Sequence, residues 1–146
     1  VPRKPRAKKE KVGLDQAEKT AFRKSKPWKG FRSDLKEERQ VDELTLMKLT
    51  PRFNLHHKDM SNEHYTDISN KDHFACLNKA SHDTVHRFFT QFKKKKIGGA
   101  RYLERFLRLM LQMAKLNCSK EDYDEIVESF KDFDPNKIIK DLETFN

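Results

Sequence analysis

Asn54 to Phe89 reads NLHHKDMSNEHYTDISNKDHFACLNKASHDTVHRFF, and all six histidines of the chain (His56, His57, His64, His73, His82 and His86) fall inside it. Phe53 to His57 is short, apolar and ends on paired histidines, which predicts a strand. Residues 59 to 71, rich in Asn, Asp and Ser, predict a loop. Phe74 to Leu77 predicts a second strand, and a helix is expected from Lys79 or Ala80 through Phe92. Side chains alternate across a strand, so His56 and His57 project to opposite faces while staying near one site. On the predicted helix His82 and His86 are four apart and share a face, the spacing at which two imidazoles close on one cation. Such a pair also arises by chance on a solvated face. Joined to His56 and His57 it gains meaning, because four histidines supply both metal ligands and a base.

Upstream, Ser25-Lys-Pro-Trp28 interrupts a helical pattern, since proline is tolerated only in a helix's first turn and Ser25 is a suitable N-cap. One short helix is expected before Ser25 and another over Lys26 to Arg39, with Ala17, Ala21, Trp28, Phe31 and Leu35 facing inward. Trp28, the single tryptophan, reads as a core anchor ahead of a base-stacking residue. Glu43 to Leu49 alternates in part and precedes Thr50-Pro51, which predicts a further strand. At the start, VPRKPRAKKEK (1 to 11) carries six basic residues and one acidic residue. It cannot bury apolar area and is expected to be disordered in isolation, either as an arm along phosphates or as a solubilising tail.

Downstream, Phe88, Phe89 and Phe92 offer a packing face, and Lys93 to Lys96 followed by Ile97-Gly98-Gly99 predicts a helix end and hinge. Ala100 to Leu116 predicts a long amphipathic helix. Its apolar stripe (Leu103, Phe106, Leu107, Met110, Met113 and Ala114) suits a core or an oligomer seam, with Arg101, Arg105 and Arg108 on the other side. Residues 119 to 146 hold nine acidic and four basic residues, a balance of −5, which leaves +14 on residues 1 to 118 of the net +9. Ser119 with Asp122 resembles a helix cap ahead of Tyr123, Ile126, Val127 and Phe130. Asp134-Pro135 starts a last short helix with Ile138, Ile139 and Leu142. This acidic end suits a homo-oligomer contact or a protein partner better than nucleic acid.

A chain of 146 residues suits one modest domain with appendages, and 35% hydrophobic against 38% charged residues implies a small core. The +9 charge and a pI near 9.5 favour a polyanionic partner, nucleic acid or an anionic surface. No apolar run approaches the roughly 18 residues of a membrane span, and there is no apolar leader, so a soluble, intracellular protein without a membrane partner is expected. Cys76 and Cys118 form no C-x-x-C pair, which excludes a cysteine-based zinc site; Cys76 reads as core.

The pattern NLHHKD followed by HFACLNKASHDTVH resembles the HNH endonucleases with the ββα-metal core, and most of all their phage-encoded members. The resemblance spans about Leu44 to Phe92. It implies an α+β, predominantly helical protein: a basic arm (1 to 14), an N-terminal helical segment (15 to 42), the ββα-metal core (43 to 97) and a C-terminal helical region (98 to 146). It implies His56 as the first metal ligand, His57 as the general base, His82 as the ligand near the start of the metal-binding helix, and His86 as the added ligand of histidine-rich members. The position nine before His82, usually Asn in the family, orients the base; here it is His73. The family's Cys-x-x-Cys knuckles are missing, with Asn78 and Ser81 at one such pair, so apolar packing is expected in their place.

The function implied is metal-dependent hydrolysis of DNA phosphodiester bonds, nicking or double-stranded, leaving 5′-phosphate and 3′-hydroxyl ends. It would take place in the cytoplasm of a phage-infected bacterial host. Mg²⁺, Mn²⁺, Zn²⁺ and Ni²⁺ are the candidate cations. Lys58, Arg87, Lys93, Lys94, Lys95 and Lys96 are the candidate DNA contacts, and Asp59 and His64 read as loop residues. The competing readings are a non-catalytic nucleic-acid-binding module with a structural metal, and a toxin or assembly factor whose acidic helices bind a protein.

Overall fold

The structure, a computed structural model, describes residue 1 and residues 13–93 and 101–145. The basic arm, Lys94, Lys95, Lys96, the Ile97-Gly98-Gly99 hinge and the 97/98 division therefore lie outside the described residues, the arm from position 2 to position 12. Two side-chain caps set the first helices. Asp15 accepts the Glu18 N–H at 2.9 Å and opens α1 (Gln16–Arg23). Ser25 accepts the Trp28 N–H at 3.4 Å and opens α2 (Lys26–Arg39), with Pro27 in its first turn. Gln40 ends α2 in the left-handed region at φ 63°.

Two four-residue strands follow, β1 (Asn54–His57) and β2 (Phe74–Leu77), paired antiparallel with Leu55 opposite Cys76 and His56 opposite Ala75. They form one two-stranded sheet, and α3 (Lys79–Lys93) leaves directly from β2. A two-stranded sheet is marginal alone and needs a helix against an apolar face. Here α2 supplies it: Trp28 and Leu35 join Leu49, Phe53, Leu55, Phe74 and Cys76 in one buried cluster, with Phe22, Phe31 and Ile68 packed around it. Phe31 meets Phe74 edge-on at 4.9 Å. Ala17 and Ala21, expected to face inward, are exposed. The inward position of α1 belongs to Phe22, whose ring reaches Trp28 at 5.5 Å where a methyl would not.

The strand expected over Glu43 to Leu49 is corrected. Its alternation is that of an exposed turn, in which Leu44, Leu46 and Met47 are 53%, 74% and 68% exposed and Leu46 is left-handed at φ 61°. The cause is Asp42, whose carboxylate accepts the N–H groups of Leu44 and Thr45 at 2.8 and 2.9 Å and so outcompetes a ladder. Only a Val41–Lys48 bridge remains. Glu43 still docks on the free edge of β2: its N–H donates to the Cys76 carbonyl at 3.0 Å, and its carboxylate accepts the Cys76 N–H.

The chain divides into two compact units, 1–86 and 87–146. The second holds the end of α3 and then α4 (Tyr102–Asn117), α5 (Lys120–Lys131) and α6 (Pro135–Asp141). Ser119 caps α5 and Asp134 caps α6, as their sequences indicate. Phe88 packs on Tyr102 and Phe106, at 5.4 and 4.8 Å between centroids. No described residue of α4, α5 or α6 is buried, and Leu103, Met110 and Met113 of the predicted stripe are exposed. No helix among the described residues is long and apolar enough to cross a membrane.

Candidate metal centre and active site

Register and helical spacing bring three histidines together. His56, in the middle of β1 and 7% exposed, faces the first two turns of α3, where His82 and His86 sit one turn apart. A nitrogen from each lies within 4.8 Å of the others, and His82 Nε2 is 3.1 Å from His86 Nε2. The His56 ring meets those of His82 and His86 edge-on, at 5.4 and 4.8 Å. Two nitrogens at bond length from one tetrahedral Zn²⁺ stand about 3.3 Å apart, so the His82–His86 spacing is close to a chelating one. Burial, with the neighbouring His86 and His82 rings behind it, pushes His56 down to about 4, and burial lowers His82. Neutral imidazoles keep the lone pair that a cation requires. The three residues thus fit a divalent cation in number and spacing.

The start of α3 is held by polar groups, which corrects the expectation of apolar packing in place of a knuckle. Asp42 is fully buried, and its carboxylate accepts the Asn78 N–H at 2.8 Å and the Ser81 hydroxyl in addition to Leu44 and Thr45. The Asn78 side chain accepts the Thr50 N–H at 2.9 Å and donates to the Lys48 carbonyl at 3.0 Å. Burial pushes the Asp42 carboxyl up, but the bonds from Ser81, Thr45, Asn78 and Leu44 outweigh it and hold the group down at about 2. Asn78 and Ser81 therefore do tie the helix start to the 42–50 segment, through a carboxylate.

His57 faces a different set of partners. Its ring lies between Trp28, at 5.3 Å and 8° from parallel, and Tyr65, at 4.3 Å and 14°. Nε2 is 2.9 Å from the Tyr65 carbonyl oxygen. A carbonyl only accepts, so Nε2 carries the proton and Nδ1 of the neutral ring keeps its lone pair. Burial lowers the His57 pKa; the Tyr65 carbonyl opposes this, while Lys19 and Arg23 add to it. His57 is thereby a neutral imidazole, fixed on both faces, with one basic nitrogen.

His56, His57, His82 and His86 line one cleft of about 380 Å³ together with Lys19, Arg23, Arg32 and Asp59. His73 is half-buried and lines a neighbouring, smaller cleft with His57, Asp59 and His64; its carbonyl accepts the Lys58 N–H at 2.8 Å. The bond that orients the His57 ring comes from Tyr65. His64 pairs with Asp59 at 2.7 Å, outside the three-histidine cluster. Of the expected DNA contacts, Lys58 donates its ammonium to the Asp72 carbonyl at 2.9 Å, and Arg87 and Lys93 are exposed in the second unit. Sequence reasoning missed Asp42, Tyr65, Lys19 and Arg23 at this site, and placed Trp28 in the core without its second role against His57. No spacing signal marks any of them, because each reaches the site through tertiary structure. No protein-family model, no curated protein and no solved structure matches the chain.

Proposed function

We propose that β1, β2 and α3 form a ββα-metal core and that the protein is a metal-dependent endonuclease of the HNH type acting on DNA. The observation that carries this reading is the adjacency of two differently prepared sites: three imidazoles within reach of one cation, and His57 in the same cleft with a fixed ring and a free lone pair. His56, His82 and His86 would hold the ion. When bound, a divalent cation stabilises charge on the scissile phosphate and on the leaving 3′ oxygen. His57 Nδ1 takes the proton from the attacking water, and the Tyr65 carbonyl stabilises the imidazolium through the Nε2 proton. The Trp28 and Tyr65 rings keep the imidazole from rotating away and limit its hydration. In-line displacement then leaves 5′-phosphate and 3′-hydroxyl ends.

A structural-metal reading accounts for His56, His82 and His86 but assigns no task to the oriented lone pair of His57. Plasmid cleavage with Mg²⁺, Mn²⁺, Ni²⁺ or Zn²⁺ separates the two. The nuclease reading expects metal-dependent nicks that disappear in His57→Ala while metal binding persists. Stoichiometric metal without any cleavage would favour the structural role.

A further inference from the structure

α1 buries no residue, so its eight residues contribute little to the core beyond Phe22. Its other inward contacts are cationic. Lys19 and Arg23, one turn apart, share a face and line the histidine cleft. The Lys19 ammonium donates to the Asn62 side-chain oxygen and stands 4.9 Å from the Tyr65 ring centre. The Arg23 guanidinium donates to the Thr20 hydroxyl at 3.4 Å. Among the described residues neither pairs with a carboxylate. Asp59, the one carboxylate among the described residues lining the cleft, is already paired with His64. Arg32 adds a third cation, fixed over the Phe53 ring at 3.8 Å with its donors on the Phe53 and Pro51 carbonyls.

Three cations around a cleft that also holds a divalent-metal ligand set repel one another, and that arrangement is stabilised when a polyanion enters. Lys19 is braced rather than neutralised, because Asn62 and Tyr65 direct the ammonium without removing its charge. We propose that Lys19 and Arg23 form a phosphate subsite that grips the nucleic-acid backbone beside the phosphate at the metal, with Arg32 supplying fixed positive potential. The subsite recognises phosphodiester charge and carries no base specificity. This inference rests on the nuclease reading for its substrate.

The test uses the full chain in the His57→Ala background, so that a short fluorescein-labelled DNA duplex is bound without being cut. Affinity is measured against salt at a fixed divalent cation. Lys19→Gln/Arg23→Gln is compared with Lys24→Gln/Lys29→Gln, which removes the same charge from exposed positions away from the cleft. The cleft pair is expected to weaken binding about tenfold and to reduce the salt slope by about 2, near 0.9 per phosphate contact, and the control pair by less. Lys19→Arg/Arg23→Lys should restore both values, and far-UV circular dichroism should match the parent throughout. Equal slopes for the two pairs, with DNA still bound, would overturn the subsite and leave the nuclease reading standing. Absence of salt-dependent DNA binding by the parent protein would overturn both.

Discussion

Substituting Asp42 by Asn removes one charge and changes little in volume, yet it should be among the most damaging single changes in the first unit. One carboxylate oxygen accepts the Leu44 and Thr45 N–H groups and the other accepts the Asn78 N–H, while the carboxylate also bonds the Ser81 hydroxyl. The carboxamide can satisfy the first pair, but its NH₂ then faces the Asn78 N–H, leaving a buried donor unpaired at a cost of about 2–4 kcal/mol. A second route gives a compatible figure. A carboxyl held at about 2, against an ordinary value of 3.8, favours the folded state by about 2 kcal/mol at neutral pH. The folded pKa is the lower one, so this contribution is present above about pH 4 and is lost as pH falls from 4 through 2. Urea unfolding followed by Trp28 fluorescence reports the transition, because Trp28 is in the core of that unit. The parent should exceed Asp42→Asn by about 2–4 kcal/mol at pH 7, and the gap should narrow by about 2 kcal/mol towards pH 2. Comparing the two proteins cancels the titration of the exposed carboxylates. A gap below about 1 kcal/mol at pH 7, or one that does not change with pH, would refute the argument.

Four further outcomes are expected. His57→Ala should slow DNA cleavage by about 10²- to 10⁴-fold with metal stoichiometry unchanged, as measured by single-turnover cleavage and metal titration. His82→Ala removes one of three imidazoles, and metal affinity should fall by more than the roughly 10- to 100-fold that loss of an outer partner costs, read by competition with a chromogenic chelator. Tyr65→Ala removes the ring stacked on His57 and should lower the cleavage rate by up to about tenfold, whereas Tyr65→Phe should not, since the hydrogen bond comes from the backbone. Leu35→Ala, at a fully buried position, should cost about 2–5 kcal/mol in the same urea titration.

The parts of this molecule that could be read from its sequence are those fixed by local rules. Ser25 with Pro27, Ser119, and Asp134 with Pro135 mark helix starts because a cap bonds an N–H two or three residues away. The β1–β2 pairing and the His82–His86 face follow from periodicity, and the union of these two with His56 needed only their succession. What escaped was decided by residues far apart. Asp42 looks like a polar residue ahead of an alternating run; its bonds to the Leu44 and Thr45 N–H groups make that run a turn, and its bonds to Asn78 and Ser81, 36 and 39 positions on, tie that turn to the start of α3. Tyr65 sits in a polar loop with no signal that its carbonyl would meet His57. Lys19 and Arg23 are two cations among 32 basic residues, and the densest run of charge, Lys93 to Lys96, lies elsewhere in the chain.

The separation of His56 from His57 gives these long-range contacts a common logic. The two residues are neighbours in the chain, but strand alternation turns them to different supports. His56 meets rings on α3, whose first residues are fixed by Asp42 and by the Asn78 bonds to Lys48 and Thr50. His57 meets Trp28 of α2 and Tyr65 of the loop, and that loop is braced by Lys19 of α1 through Asn62. The metal-assisted hydrolysis we propose would need both placements at once, because a ligand must stay neutral and close to its fellows while a base must hold one nitrogen open to water. One strand could not set both demands from a single packed face, since an apolar face that excludes water from a ligand would exclude it from the base as well. Placing the two histidines at adjacent positions resolves the conflict: the pleat supplies two environments a single residue apart, and each is then tuned by a different part of the chain.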